Sequence, residues 1–326
     1  MSHSSPAHSD TAKSAAWQRL WATGAEDSFG QSAGEPPASA HWANWFAALP
    51  PAASVLDLAS GSGALLRRFL ASNKDPQSHC HGVDVVTGRP AWLDALDAPL
   101  RQRVSFTGGV AITELPFGSA QFDAVVSQFG VEYADLARAL PEALRVLRPE
   151  GRLGLLIHHR DSRPASLARA ELVHARWLLS SGWLEAASQM SQAMALTSTD
   201  AGRQELSTSA LWAGVRFRFD SLTQQVQSEA ASSNCPDLLI DAQHWMTQAF
   251  RASATHGAEA GKDAVHRVAE LIADSAMRLD DMLAHALSQD QINGLVRTME
   301  DLGRQGATVS TLEDRGYLLG WWVQQG

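Results

Sequence analysis

The chain has 326 residues, of which 45% are hydrophobic and 19% charged, and 26 basic against 35 acidic side chains set a formal net charge of −9. That is enough apolar sequence for one large α/β domain, or for a standard domain with a large appendage, and it excludes a wholly disordered chain. The acidic balance argues against a dedicated nucleic-acid binder, whose affinity comes from neutralising phosphates. Two cysteines, Cys80 and Cys235, stand too far apart to suggest a disulfide framework or a paired zinc site.

The opening MSHSSPAHSD is polar and lacks the apolar centre of a signal peptide, and no stretch approaches 18 apolar residues. The expectation is a cytoplasmic protein with no membrane partner. Residues 1–12 read as a disordered tail. A helix carrying Trp17, Leu20 and Trp21 follows, then a Gly, Ser and Pro-rich loop over 24–39. A second helix carries Trp42, Trp45 and Phe46 and ends before Pro50 and Pro51.

From residue 54 the pattern changes. SVLDLAS, HCHGVDVV, VSFTG, FDAVVSQF and RLGLLIHH read as strands. The helical stretches ALLRRFLAS, WLDALDAPL and one from about Tyr133 to Leu147 separate them, and a turn at Pro149–Gly151 precedes the fifth strand. Strands that are continuous apolar runs, alternating with helices, predict a doubly wound, mostly parallel sheet covered on both faces. After His159 the strand signal stops for about 145 residues. Helices are expected over 164–181, 183–196, 209–232, 237–254 and 259–287. GATVSTLED and RGYLLGWWVQQ then read as a hairpin that completes a seven-stranded sheet. The expected division is a tail with lid helices at 1–53, a core at 54–159, a helical insertion at 160–305 and a hairpin at 306–326.

The segment VLDLASGSG, Val55 to Gly63, ends the first strand. A ligand over the carboxyl edge of such a sheet must approach the backbone, and Gly61 and Gly63 leave room for it. Amides at the start of the next helix then face the ligand. Asp84, 21 residues beyond Gly63, ends the second strand, where an acid can hold two ribose hydroxyls. The third glycine of a dinucleotide fingerprint is absent, because Leu66 stands in its place, and there is no P-loop. Asp57, just before the turn, would repel a pyrophosphate but suits a ligand with a positive amino group and a sulfonium.

These blocks together resemble the class I S-adenosylmethionine-dependent methyltransferases. The resemblance covers about residues 54–159 and the terminal hairpin. VLDLASGSG is similar to the family's first motif, with Ala59 where glycine is commoner. VDVV is similar to the ribose-binding block, and LPFGSAQFDAVVSQF and EALRVLRPEGRLGLLI follow in the family's order. The resemblance implies that S-adenosyl-L-methionine binds, with S-adenosyl-L-homocysteine as product. It implies that Asp57 anchors the amino acid end, Ala59, Gly61 and Gly63 line the turn, and Asp84 and Val85 meet the ribose and adenine side. Gln128 and Phe129 would flank the methionine portion. The family often has Gly-Asp-Ala after the third strand. Here GGVAITELPF has no such acid, so Ala111 and Ile112 are expected to sandwich the adenine.

Methyl transfer needs a base only when the acceptor must lose a proton. The candidates lie past the fourth and fifth strands: Glu132, Tyr133, His158 and His159. Trp17, Trp21 and Trp42 are candidate substrate contacts on lid helices that exclude water. No metal is expected, because no acid cluster follows the fourth strand. The leading expectation is a small-molecule methyltransferase acting on oxygen, nitrogen or carbon. A helical cap with 13 basic and 18 acidic side chains over residues 160–310 suits a buried small substrate better than RNA. RNA or protein methylation, or a non-catalytic binding or assembly module of the same fold, are the alternatives. A homodimer through the long helices is the expected assembly.

Overall fold

The computed structural model describes residues 6–22, 36 and 38–326. Residues 1–5 of the expected tail, and most of the expected loop at 24–39, lie outside the described residues. Residues 6–12 are not a tail: α1 runs Pro6–Ala22. α2 (Ser39–Ala47) ends three residues before the two prolines, which cannot continue a helix.

The core then alternates. β1 (Ser54–Leu58), α3 (Ala64–Ser72), β2 (His79–Asp84), α4 (Ala98–Arg101), β3 (Val104–Gly108), β4 (Phe122–Gln128), α5 (Leu136–Val146) and β5 (Leu147–His158) follow in order. Helices α6 (Arg163–Ser180), α7 (Trp183–Leu196), α8 (Asp200–Thr208), α9 (Ala210–Ser232), α10 (Asp237–His256), α11 (Ala258–His285) and α12 (Gln289–Asp301) come next, and β6 (Thr308–Asp314) and β7 (Tyr317–Gln325) close the chain. The seven strands form one sheet in the order β3-β2-β1-β4-β5-β7-β6. The first five strands are parallel, while β7 runs antiparallel to β5 and β6 antiparallel to β7. The expected doubly wound, mostly parallel seven-stranded sheet is what forms.

Side chains alternate across a strand, and this sorts the sheet into two apolar layers. Leu56 and Leu58 of β1 join Leu140 and Leu144 of α5 and Ile292, Leu295 and Met299 of α12 on one face. Val55 joins Leu66 and Phe69 of α3 and Trp42 and Phe46 of α2 on the other. Each fully buried side chain of this size contributes roughly 1.5–3 kcal/mol over its exposed state. The order reverses at β1, which lies between β2 and β4, so the crevice for a ligand opens at the carboxyl ends of β1 and β4.

Some boundaries differ from expectation. The helix expected from Tyr133 begins instead at Leu136, because the Asp135 carboxylate accepts the Ala137 N–H at 3.1 Å and caps it; Val131–Tyr133 is a 3-10 turn. Residues 149–151 belong to β5, bulged where Phe122 pairs with Leu147 and Ala124 with Arg152. Helices α8 and α12 were not anticipated. The second starts on a reciprocal capping box between Ser288 and Gln291.

The chain divides into two compact units, Met1–Ser166 with Asp281–Gly326, and Leu167–Asp280. The second is all helical around Trp183, Leu239, Met246, Val268 and Ile272, with the Trp183 indole N–H donating to Thr223 at 3.0 Å. No helix among the described residues is long and apolar enough to cross a membrane.

Candidate functional site at the sheet switch point

The chain leaves β1 through a tight reversal in which Ala59, Gly61 and Gly63 all have positive φ, at 51°, 53° and 77°. Two of these three are glycines, as such angles favour. At Ala59 a side chain bears the cost of that conformation, with its Cβ packed toward Gly130. The turn is crowded from both sides. A Cβ at Gly61 would lie 3.0 Å from the Trp21 indole, and one at Gly63 would lie 3.0 Å from Trp92. Gly63 also caps α3 with no side chain to offer its first amides, which leaves them for an outside acceptor.

Asp84 ties this turn to β2. One carboxylate oxygen accepts the Gly61 N–H at 2.7 Å and the other the Val86 N–H at 2.8 Å. Burial raises its pKa and these two bonds oppose the rise. Each oxygen keeps a second lone pair for a hydroxyl. Asp57 is 1% exposed and accepts the Ser60 hydroxyl at 2.5 Å. Burial, above all, pushes its pKa up to about 7; Ser60 opposes this, Asp84 adds to it and Arg68 opposes it. A buried carboxyl held this way gains most from a cation brought to it.

On the β4 side, Gln128 Oε1 accepts from the Trp42 indole at 2.6 Å and from Arg68 at 2.9 Å, which leaves its NH2 as the donor end. Phe129 sits at φ 52°, held by its N–H to Leu156 O at 2.7 Å and by stacking on His158 at 4.3 Å. A bulky residue in that region costs of order 1–3 kcal/mol, and such strain concentrates at sites where backbone is forced into position. Val85 is exposed and Ala111 is exposed beside the loop whose Val110 N–H donates to Asp84 O at 2.8 Å. Ile112 is buried in the core layer, so only its neighbours face outward.

Burial bears on two of the expected site residues. His158, an expected base candidate, is 1% exposed, and burial, with the charge of His285 second, pushes its pKa down to about 3. It stays neutral near pH 7 and serves as a stacking surface for Phe129. Trp42, an expected substrate contact, is fully buried, and its indole N–H donates to Gln128. Among the others, His159 stacks on Trp321 at 4.1 Å and accepts the Asp161 N–H on Nδ1, so its neutral ring carries hydrogen on Nε2. Tyr133 stays a phenol, because burial first, then Glu132 and Asp281, raises its pKa. Glu132 is 2% exposed; Oε1 accepts the His158 N–H at 2.8 Å and Oε2 is buried with no hydrogen-bond partner among the described residues. Burial raises its pKa to about 7 against that bond.

Trp17 and Trp21 stack at 5.6 Å, and Trp17 meets the Tyr133 ring edge-on at 5.7 Å. Trp17 Nε1 also donates to Asp281 at 3.3 Å, and Lys13 Nζ lies 2.7 Å from the same carboxylate. Sequence reasoning missed Arg68, Asp281 and His285. The i, i+4 spacing of Asp281 and His285 on one helix was the available signal for the last two. In the second unit, ligand atoms of Glu171, Cys235 and Asp237 come within 4.8 Å of one another. There Glu171 accepts the Leu238 N–H in the first turn of α10.

Comparison with known proteins finds likeness over the segment that builds this arrangement. Residues 55–151 match the model described as a methyltransferase domain. A methyltransferase of Mycobacterium tuberculosis (strain ATCC 25618 / H37Rv), described as uncharacterized, is 40% identical over 129 residues, covering 39% of this chain and 47% of its own. A ubiquinone/menaquinone biosynthesis C-methyltransferase of Dinoroseobacter shibae is 37% identical over 121 residues, covering 35% and 45%. The chain spans about half the length of the curated relatives it matches. Among solved structures, a SAM-dependent methyltransferase from Aquifex aeolicus aligns at TM-score 0.33 and 18% identity, over 39% of this chain and 71% of that one.

Proposed function

We propose that this chain, whose residues 55–151 match a methyltransferase-domain model, is an enzyme of the class I S-adenosylmethionine-dependent kind that methylates a small organic acceptor, using S-adenosyl-L-methionine bound over the carboxyl ends of β1, β2 and β4. The observation that carries this reading is the clamp between Asp84 and the turn. One carboxylate holds the Gly61 amide while keeping lone pairs for a ribose, at a reversal where a side chain would collide with indoles on either face.

The residues fit that cofactor. Asp57 is a buried carboxyl whose pKa stays raised despite the charge of Arg68, which suits the ligand's ammonium. The Gln128 NH2 suits its carboxylate. Val85 and Ala111 offer apolar surface for a base. When bound, the cofactor supplies a sulfonium methyl for in-line displacement. The protein's part is to align the acceptor and keep water out, which Trp17 and Trp21 on α1 would do. A relative named as a quinone-biosynthesis C-methyltransferase supports a small organic acceptor.

The helical segment 160–305 would set either the acceptor or the oligomeric state. Light scattering at micromolar concentration separates these, since a monomer removes the dimer reading. The binding site is tested by calorimetric titration of S-adenosylhomocysteine into wild type and Asp84→Ala, with NAD as control. Binding that collapses in the variant is expected. Folded wild type that does not bind removes the proposal.

A further inference from the structure

Resting on the function just proposed, we infer that His285, oriented by Asp281, is the general base that takes a proton from the methyl acceptor, so the acceptor is a hydroxyl compound. Neither residue belongs to the glycine turn or to the ends of the parallel strands. Both lie on the last turn of α11, which the fold returns to the carboxyl edge of the sheet: Leu287 N–H donates to His158 O at 2.8 Å and Arg160 N–H to Leu287 O at 3.0 Å.

The geometry sets the tautomer. His285 Nδ1 lies 2.8 Å from the Asp281 carbonyl oxygen and 3.4 Å from its carboxylate. Both are acceptors, so Nδ1 carries hydrogen and the lone pair is on Nε2. His285 keeps 31% of its side chain exposed, whereas Asp281 keeps 6%. Its ring lies 5.1 Å from Tyr133, which in turn meets Trp17, so the imidazole continues the aromatic wall that starts with Trp21 over Gly61. Flat rings on that wall suit a hydroxyl carried on a flat, apolar frame.

The other candidates lack this combination. His158 is buried and neutral, His159 carries its hydrogen on Nε2, Tyr133 is a phenol, and both carboxylate oxygens of Glu132 are buried or engaged. The charged and titratable groups facing His285 are Asp281 on its own helix, Lys13 on α1, Glu132 and Tyr133 after β4, and His158 on β5. The Asp281 bond, as the largest influence, raises the His285 pKa, with burial and Lys13 opposing it. In the step, the acceptor O–H bond breaks and its proton moves to Nε2. The oxygen's electron pair forms the bond to the methyl carbon, and the carbon–sulfur pair stays on sulfur as a neutral thioether. The imidazolium is stabilised by Asp281 and later returns its proton to water. Asp281 is a positioning residue.

The test uses the full chain, methyl-tritiated S-adenosylmethionine and a small-metabolite extract, with S-adenosylhomocysteine calorimetry in parallel. His285→Asn keeps a donor toward Asp281 but has no Nε2 base. Its expected result is unchanged S-adenosylhomocysteine affinity, within about twofold, and at least about 100-fold slower labelling, in the range of a lost general base. Imidazole is expected to restore labelling by His285→Ala in proportion to its unprotonated fraction. Asp281→Asn is expected to move the acid limb of the pH–rate profile down. Wild-type labelling rates in His285→Asn overturn the assignment. So does a loss in His285→Ala that imidazole does not relieve, or a limb that Asp281→Asn leaves in place, as a neutral amine acceptor would give. Wild type that binds S-adenosylhomocysteine yet labels nothing instead removes the proposed enzyme function, and this base with it.

Discussion

The two sides of the candidate site are built on different principles. The side around β1 and β2 is local: Asp57, Ser60, Gly61 and Asp84 lie within 28 residues of sequence and are held by short-range hydrogen bonds, from the Ser60 hydroxyl to Asp57 and from backbone amides to Asp84. The side beyond β4 is assembled from afar. Trp17, Tyr133 and His285 come from three separate elements, and Asp281 bonds across 264 residues to Trp17. The first side can be rigid because short loops and a sheet hold it. The second depends on a helix that leaves the sheet and returns, and this is the side where an acceptor can be chosen without altering the cofactor turn.

The largest expected effect falls on the local side. Asp84→Ala removes an acceptor from the Gly61 amide and from the ligand, and should weaken S-adenosylhomocysteine about 100-fold, near 2.7 kcal/mol, in calorimetry. A variant that binds as wild type does would show that the turn does not depend on this clamp.

Glu132 tests the assembled side through stability. Its folded-state pKa is raised from the ordinary 4.5 to about 7. The stability that comes from its protonated form is therefore complete below pH 4.5, lost as pH rises to 7, and absent above. Denaturant unfolding should show Glu132→Gln gaining about 1–2 kcal/mol on wild type between pH 4.5 and 8. A parallel pH dependence in both proteins would mean that this carboxyl titrates normally.

Asp57 should respond more modestly. Its raised pKa means that a cationic ligand expels its proton. Titrations at pH 6 in buffers of different ionisation enthalpy should register proton release on S-adenosylhomocysteine binding. Asp57→Asn should abolish the release and weaken affinity about tenfold. The smallest effect is expected at Ala59, where glycine removes the left-handed cost. Ala59→Gly should change the unfolding free energy by less than about 1 kcal/mol, toward greater stability.

The local side was legible because its requirements are written in residue types. Glycines mark the positive φ at Gly61 and Gly63, and the sheet rule puts an acid at the end of β2. The same reading did not show the burial of His158, because the sequence shows a histidine pair ending a strand but not which one the pleat turns inward. The burial of Trp42 was hidden for a related reason: an amphipathic helix displays its apolar face without saying whether that face covers a ligand or a core. Arg68 could not be read at all, since its role exists only when α3 lies against the end of β4.

By itself the sequence determined the doubly wound sheet, its order of strands and helices, and the glycine turn with its two acids. These follow from period, apolar runs and backbone angles that only a few residues tolerate. Tertiary structure alone decided which groups are dry and therefore neutral, such as His158, and which meet across long separations, such as Asp281 with Trp17 and Lys13. Burial and long-range contact are properties of packing, and no local pattern encodes the partner against which a side chain will come to rest.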